Sequence, residues 1–188
     1  MGYALKNRIS PEAYLEMEMT SEERHEYVDG EIFAMSGASS PHNLIAGNLY
    51  MAFRAHLRGK PCQVFMSDIK LRVEAANCYF YPDLMVTCSE IDRQSRYVMN
   101  EPMLVVEILS PSTTLFDYNN KFAAYRQLPS LQEYVLVDAA RMGIDCYRRN
   151  ERDEWILRPY GAEESVVLHS LDLTFPVEAA YLDVDLTA

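Results

Sequence analysis

The sequence predicts a mixed α/β (α+β) fold: a mixed β-sheet core flanked by helices, with an N-terminal hairpin and extra strands toward the C-terminus. Three observations carry this expectation: an amphipathic stretch from Pro41 to Leu57, three strand-like segments between Gln63 and Leu109, and a strand, helix, strand succession from Met103 to Asp138. The last implies a parallel strand pair joined by a right-handed crossover. A chain of 188 residues that is 49% hydrophobic and 24% charged suits one domain over residues 1–188 with a full core.

Ser10-Pro11-Glu12 reads as a helix start, with Ser10 capping free amides and Pro11 at the first helical position; the helix is expected to run to about Met17. Asp29-Gly30 between two apolar stretches is a hairpin signal. From Pro41 to Leu57, Leu44, Ile45, Leu49, Met51, Ala52 and Phe53 recur at helical spacing, and Gly59-Lys60-Pro61 ends the helix. The strand candidates are Gln63–Met66 running on into Ile69–Glu74, then Tyr81–Thr87, then Met103–Leu109. Ile69, Leu71 and Val73 alternate with Lys70, Arg72 and Glu74, so that segment expects one wet face. Met103–Leu109 is apolar almost throughout and is expected to be central. Asp117–Leu128 reads as a helix with Asp117 as its cap and Pro129 as its stop, followed by strands at Glu133–Asp138, Gly143–Arg148 and Trp155–Pro159.

Residues 1–8 hold no apolar run of signal-peptide length, Lys6 stands where an acylation signal after Gly2 wants Ser or Thr, and no later window approaches 18 uninterrupted apolar residues. A cytoplasmic protein without a membrane partner is the expectation. Cys62, Cys78, Cys88 and Cys146 form no CxxC pair and read as reduced, mostly buried thiols; with the four histidines (His25, His42, His56, His169) also off ligand spacing, zinc is not expected. A net charge of −11 argues against a general nucleic-acid coat, because phosphate binding is driven by Lys and Arg. Basic residues do cluster at Arg54, Arg58 and Lys60, and again at Arg141, Arg148 and Arg149, so any grip on an anionic polymer must be local.

The chemistry-bearing residues lie in the middle of the chain. Glu107 interrupts an otherwise uncharged strand, and burying a carboxylate costs several kcal/mol unless a cation or hydrogen-bond donors sit beside it. Asp83, just after Pro82, is a second acid near the start of the preceding strand; if the strands are neighbours, the two carboxylates converge and repel unless a cation joins them. Mg²⁺ fits such a pair, with the Ile108 carbonyl as a third ligand, because it takes a few oxygens, keeps several waters and leaves room for a phosphate. Lys121 can supply the positive charge that a reacting phosphate needs. Plain structural readings stand beside these: an ion pair of Glu107 with Lys121 or Arg126, a turn at Pro82-Asp83, and a surface i, i+4 pair of Asp117 with Lys121.

Taken together, Glu26-Tyr-Val-Asp-Gly-Glu31, Met35-Ser-Gly37, His42, Ser67-Asp68, Tyr81-Pro-Asp83, Val105-Val-Glu-Ile-Leu-Ser-Pro-Ser112 and Lys121-Phe-Ala-Ala-Tyr125 closely resemble the Uma-type family of restriction-endonuclease-like proteins, formerly a domain of unknown function. The resemblance covers roughly residues 10 to 180. It implies the fold of the PD-(D/E)xK superfamily, cleavage of nucleic acid (DNA before RNA) with Mg²⁺ or Mn²⁺, and a homodimer. That pattern wants a lysine two positions after Glu107, where this chain has Leu109; the family places a lysine at the position of Lys121, and the role passes there. Asp83, Glu107 and Lys121 are therefore the expected catalytic residues, and Asp83, Glu107 and Ile108 the metal ligands. Glu31, His42, Asp68 and Tyr125 match the family as supporting candidates. Each also has a plain reading: Glu31 as a turn acid, His42 as a cap or core-edge hydrogen bond, Asp68 as a bulge, and Tyr125 as packing.

Overall fold

A computed structural model describes residues 8–35, 37–110 and 113–186. The readings of the N-terminal residues 1–7, and of Ser36, Pro111 and Ser112 in the family motifs, fall outside these.

In chain order the elements are α1 (Pro11–Thr20), β1 (His25–Val28), β2 (Glu31–Ala34), α2 (Ser40–His56), β3 (Gln63–Met66), β4 (Lys70–Val73), β5 (Cys78–Phe80), β6 (Leu84–Thr87), α3 (Glu90–Gln94), β7 (Val98–Met99) and β8 (Pro102–Leu109). There follow α4 (Thr114–Phe116), a π-helical turn (Asp117–Lys121), α5 (Phe122–Tyr125), β9 (Glu133–Asp138), β10 (Gly143–Arg149), β11 (Trp155–Gly161), β12 (Ser165–Leu168) and β13 (Leu173–Pro176). A 3₁₀ segment (Val177–Tyr181) succeeds β13.

Ser10 caps α1 through its hydroxyl and Pro11 opens it, but the helix runs on to Thr20 rather than stopping near Met17, where no breaker stands. Asp29 and Gly30 both take positive φ, which turns β1 back onto β2 in the register His25 to Ala34 and Val28 to Glu31. Ser39 caps α2, and Ile45, Ala46, Leu49 and Phe53 form its buried stripe.

Two larger sheets result. One has six strands in the order β11-β10-β9-β8-β6-β3, and the other five in the order β2-β1-β5-β4-β7. β8 lies between β6 and β9 and pairs in parallel with β9, so the Met103–Leu109 segment is central and its crossover carries the helical segment 114–125. Strand alternation divides β8 between two cores: Leu104, Val106 and Ile108 pack with α2, while Val105 and Leu109 face Tyr125, Leu128 and the second sheet through Phe80 and Leu71. Glu107 shares parity with the second set.

Three expectations are corrected here. Gln63–Glu74 is not one continuous strand: Ser67 takes φ of 51°, so β3 stays in the first sheet and β4 joins the second. Asp117 does not cap a helix, because the helical segment already begins at Thr114 and Asp117 opens the π turn inside it. Cys62 and Cys88 are not free thiols but a disulfide, since the antiparallel β3–β6 register of Gln63 with Thr87 sets the flanking cysteines opposite one another; Cys78 and Cys146 are buried and free.

Candidate active site

The antiparallel register Leu84 to Val106, continued by one residue, brings Asp83 opposite Glu107 at the mouth of the β6–β8 pair. Asp83 Oδ2 accepts a hydrogen bond from the Ile108 amide at 2.7 Å, and the Asp83 amide points at Glu107 Oε2 across 3.5 Å. The two acids that the sequence singles out are therefore neighbours through main chain as well as side chain.

The helical segment 114–125 closes the site from above. A π turn carries one extra residue per turn and shifts the faces of the helix that follow it. Asp117 and Lys121 sit at the two ends of this turn, both buried. Lys121 Nζ lies 3.1 Å from Glu107 Oε1, 3.0 Å from Glu26 Oε1 and 3.5 Å from Asp117 Oδ1. The Asp117 contact is attraction between charges rather than a directed bond, because Oδ1 has no hydrogen-bond partner among the described residues. One turn on, the Tyr125 hydroxyl donates to Glu107 Oε1 at 2.8 Å. Leu109, where the superfamily pattern wants its lysine, is packed into the core on the same side of β8 as Glu107. The ammonium therefore arrives from the crossover helix, not from the strand.

His42 stands in the first turn of α2 and reaches the other acid, with Nε2 3.1 Å from Asp83 Oδ2. Its Nδ1 is buried without a partner among the described residues. Ser39 supplies the cap of α2, so His42 is free of that duty. Glu26, on β1, completes the cluster; its Oε1 also accepts from the Tyr81 amide.

Four carboxylates (Glu26, Asp83, Glu107, Asp117) thus surround one lysine and one histidine. Burial pushes the Glu107 carboxyl well above the ordinary carboxylate range; Lys121 pulls it back, while Asp83, Asp117 and Glu26 add to the rise. Burial likewise raises Asp117 against the pull of Lys121. Burial disfavours the charge on Lys121, yet Glu107, Glu26 and Asp117 outweigh it and lift its pKa above that of a free lysine. For His42 burial also acts downward, but the hydrogen bond and charge of Asp83 prevail and its pKa is raised. Tyr125 is pushed well above the usual phenol value by burial and then by Glu107.

The structure brings together Asp83, Glu107, Ile108, Lys121, His42 and Tyr125. Asp68 is set apart: it is a solvent-facing residue between β3 and β4, 3.9 Å from Arg24. Glu31 opens β2 opposite Val28, at the turn end of the strand whose Phe33 faces Glu26. Sequence reasoning gave no role to Glu26 and treated Asp117 as a surface partner. An acid beside the buried Tyr27 was the available signal for Glu26; for Asp117 none existed, because i, i+4 spacing to Lys121 looks the same on a wet face and a buried one.

Among the described residues no three His, Cys, Asp or Glu side chains form a ready-made metal cage. A Mg²⁺ site needs less, since that ion binds through one or two carboxylates and keeps its waters. The donor set fits: among the described residues Glu107 Oε2 has only the long contact to the Asp83 amide, and Asp83 engages its neighbours through Oδ2.

Residues 11–184 match the Uma2 family, described as "Putative restriction endonuclease". A Synechocystis protein, "Uncharacterized protein slr1290", is 40% identical over 174 residues, covering 93% of this chain and 92% of the relative. A second Synechocystis protein, "Uncharacterized protein sll1609", is 33% identical over 169 residues, covering 89% and 96%. The fold is shared with a crystal structure of a putative nuclease belonging to DUF820 from Anabaena variabilis, at a TM-score of 0.77 and 15% identity over 93% of this chain and 98% of that one. By the match over residues 11–184 and the shared fold, the chain belongs to the Uma2 family and has a restriction-endonuclease-like fold.

Proposed function

We propose that the protein is a nuclease that hydrolyses phosphodiester bonds in DNA, with Mg²⁺, or Mn²⁺ in its stead, held by Asp83, Glu107 and the Ile108 carbonyl. The observation that carries this reading is the delivery of Lys121 Nζ to within 3.1 Å of the buried Glu107, beside a second acid. The match to a family described as "Putative restriction endonuclease" supports it, as does the fold shared with a putative nuclease.

When bound, the metal polarises the scissile phosphate and acidifies a water. The chain's own residues do the rest. Asp83 and Glu107 supply the negative oxygens, and the Ile108 amide and Tyr125 hydroxyl fix one oxygen of each. Lys121 offers fixed positive charge to the phosphate, where charge builds as water adds to phosphorus and the bond to the sugar oxygen breaks. His42 holds Asp83 through Nε2 and is the residue of the cluster whose unperturbed pKa lies nearest neutrality, which suits it to pass the water's proton outward.

The test is incubation with supercoiled plasmid and with single-stranded DNA in Mg²⁺ or Mn²⁺. Cleavage by the native chain and its loss in Asp83→Ala and Glu107→Ala are expected; equal cleavage by Glu107→Ala refutes the site. Titration calorimetry that detects no divalent-ion binding dependent on Asp83 and Glu107 favours a non-catalytic binding module on the same fold. RNA competition decides the polymer, and light scattering checks the homodimer, which suits a two-fold substrate.

A further inference from the structure

From Ile32 to Ser67 the chain carries no Asp or Glu, although 28 acids are spread over its 188 residues. This acid-free stretch contains α2, whose first turn brings His42 to the carboxylates. Toward its other end lie Arg54, Arg58 and Lys60, all exposed. They line a cleft of about 370 Å³ together with Tyr50 and Met51.

The two basic clusters of the sequence have different fates. Arg148 pairs with the buried Glu133 and donates to the Val167 carbonyl. Arg149 donates to the carbonyls of Arg126, Leu128 and Pro129, and Arg141 pairs with Asp138. Those three are used in holding the fold or a loop. Arg54 and Arg58, by contrast, have no carboxylate within ion-pair distance among the described residues. Among the described residues Lys60 Nζ touches only His56 Nε2, which also lies 2.9 Å from the Leu171 carbonyl and can serve just one of the two. Uncompensated cations around a cleft, in a chain of net charge −11, form a local positive surface that the fold itself does not consume.

We propose that this flank of α2 and the cleft at its C-terminal end are a phosphate track, in which Arg54, Arg58 and Lys60 take the sugar-phosphate backbone of duplex nucleic acid. The proposal rests on the nuclease reading for its choice of polymer. Arg54 lies twelve residues beyond His42 in sequence, about 18 Å along the helix axis at 1.5 Å per residue. That span matches roughly five base-pair steps at about 3.4 Å each. Between these cations and the carboxylates α2 itself contributes no acid. The arrangement accounts for how an acidic protein holds a polyanion: attraction is confined to the C-terminal end of α2 and the turn after it, and the acids proposed to hold the metal lie off the other end of the helix.

The experiment measures binding of the full-length chain to a labelled 30-bp duplex by fluorescence anisotropy in EDTA, over a series of NaCl concentrations. The Arg54→Ala/Arg58→Ala/Lys60→Ala variant is expected to lower the slope of log affinity against log salt by about 2 to 3, close to 0.9 per phosphate contact. Arg54→Lys/Arg58→Lys keeps the charge and should keep the slope; if the triple variant fails to fold, Arg54→Ala alone, at an exposed position, should lower the slope by about 0.9, and a native slope in it overturns the proposal. Native affinity and slope in a folded triple variant, or no duplex binding by the native chain at low salt, overturn the proposal. So does arginine-dependent binding to phosphatidylserine vesicles without binding to duplex. Glu107→Gln separates the two readings. If the native chain and this variant bind duplex alike and neither cleaves it in Mg²⁺ or Mn²⁺, the nuclease reading fails and the track stands. If cleavage depends on Glu107 while the triple variant binds as the native chain does, the track alone fails.

Discussion

Replacing Lys121 with Met removes the ammonium that three buried carboxylates share and keeps most of the side-chain volume. Its contacts with Glu26, Glu107 and Asp117 span 3.0 to 3.5 Å, and its side chain is 7% exposed. At an effective dielectric of about 20, a contact of that length is worth on the order of 5 kcal/mol before desolvation is counted. Desolvation of the lysine opposes most of the sum, and removal of one partner from a buried ion pair costs about 3–5 kcal/mol net. Lys121→Met is expected to lose that amount at pH 7.5 in EDTA, or about 6–20 °C in Tm at roughly 2–4 °C per kcal/mol for a chain of this size. The loss should shrink as the pH falls. Glu107 and Asp117 already have raised pKa values, and without Lys121 they rise further. An acid with a raised folded pKa binds protons preferentially in the folded state, so stability is regained as pH drops through that pKa toward the unfolded value. Mg²⁺ should restore part of the loss by supplying the missing charge. Urea denaturation at pH 7.5 and 5, with EDTA or Mg²⁺, measures all three effects. A variant as stable as the native chain in EDTA at pH 7.5 would show that the carboxylates do not depend on this lysine, and the electrostatic reading of the site would fall.

Glu107→Gln is the converse change: it removes one charge from the acidic cluster and keeps the shape, so Tm in EDTA at pH 7.5 should hold or rise while metal-dependent cleavage falls at least about 100-fold, the usual scale for losing one charge-stabilising group. His42 has a raised folded pKa, so its bond to Asp83 contributes stability below pH 6.5 that is lost as pH rises through the folded value. In His42→Gln the decline of stability from pH 6.5 upward should flatten, as followed by thermal melts; an unchanged profile would detach His42 from Asp83. Arg149→Ala deletes three hydrogen bonds to the carbonyls at 126, 128 and 129 and the stacking on Trp155, and should cost about 1–3 kcal/mol in urea denaturation without weakening duplex binding. Weakened duplex binding in a folded Arg149→Ala would place this arginine at the polymer instead.

What the sequence alone determined is local or periodic. Apolar spacing placed α2, the uncharged run placed β8 at the centre of its sheet, and Ser10-Pro11 and Asp29-Gly30 marked a helix start and a turn because their backbone preferences act over a few residues. Asp83, Glu107 and Lys121 were legible because a charge in an apolar strand demands a partner, and because the family pattern lends them a role. Tertiary structure decided what depends on two distant segments meeting. Glu26 joins the cluster only because the second sheet packs against the crossover helix, and the same packing buries Asp117 beside Lys121. The disulfide follows from a strand register, and the chain's change of sheet at Ser67 turns on one left-handed residue. The fate of each arginine was hidden for the same reason: the positive charges look alike in sequence, and only the fold shows that Arg148 and Arg149 are held by it while Arg54 and Arg58 face outward with no acid beside them.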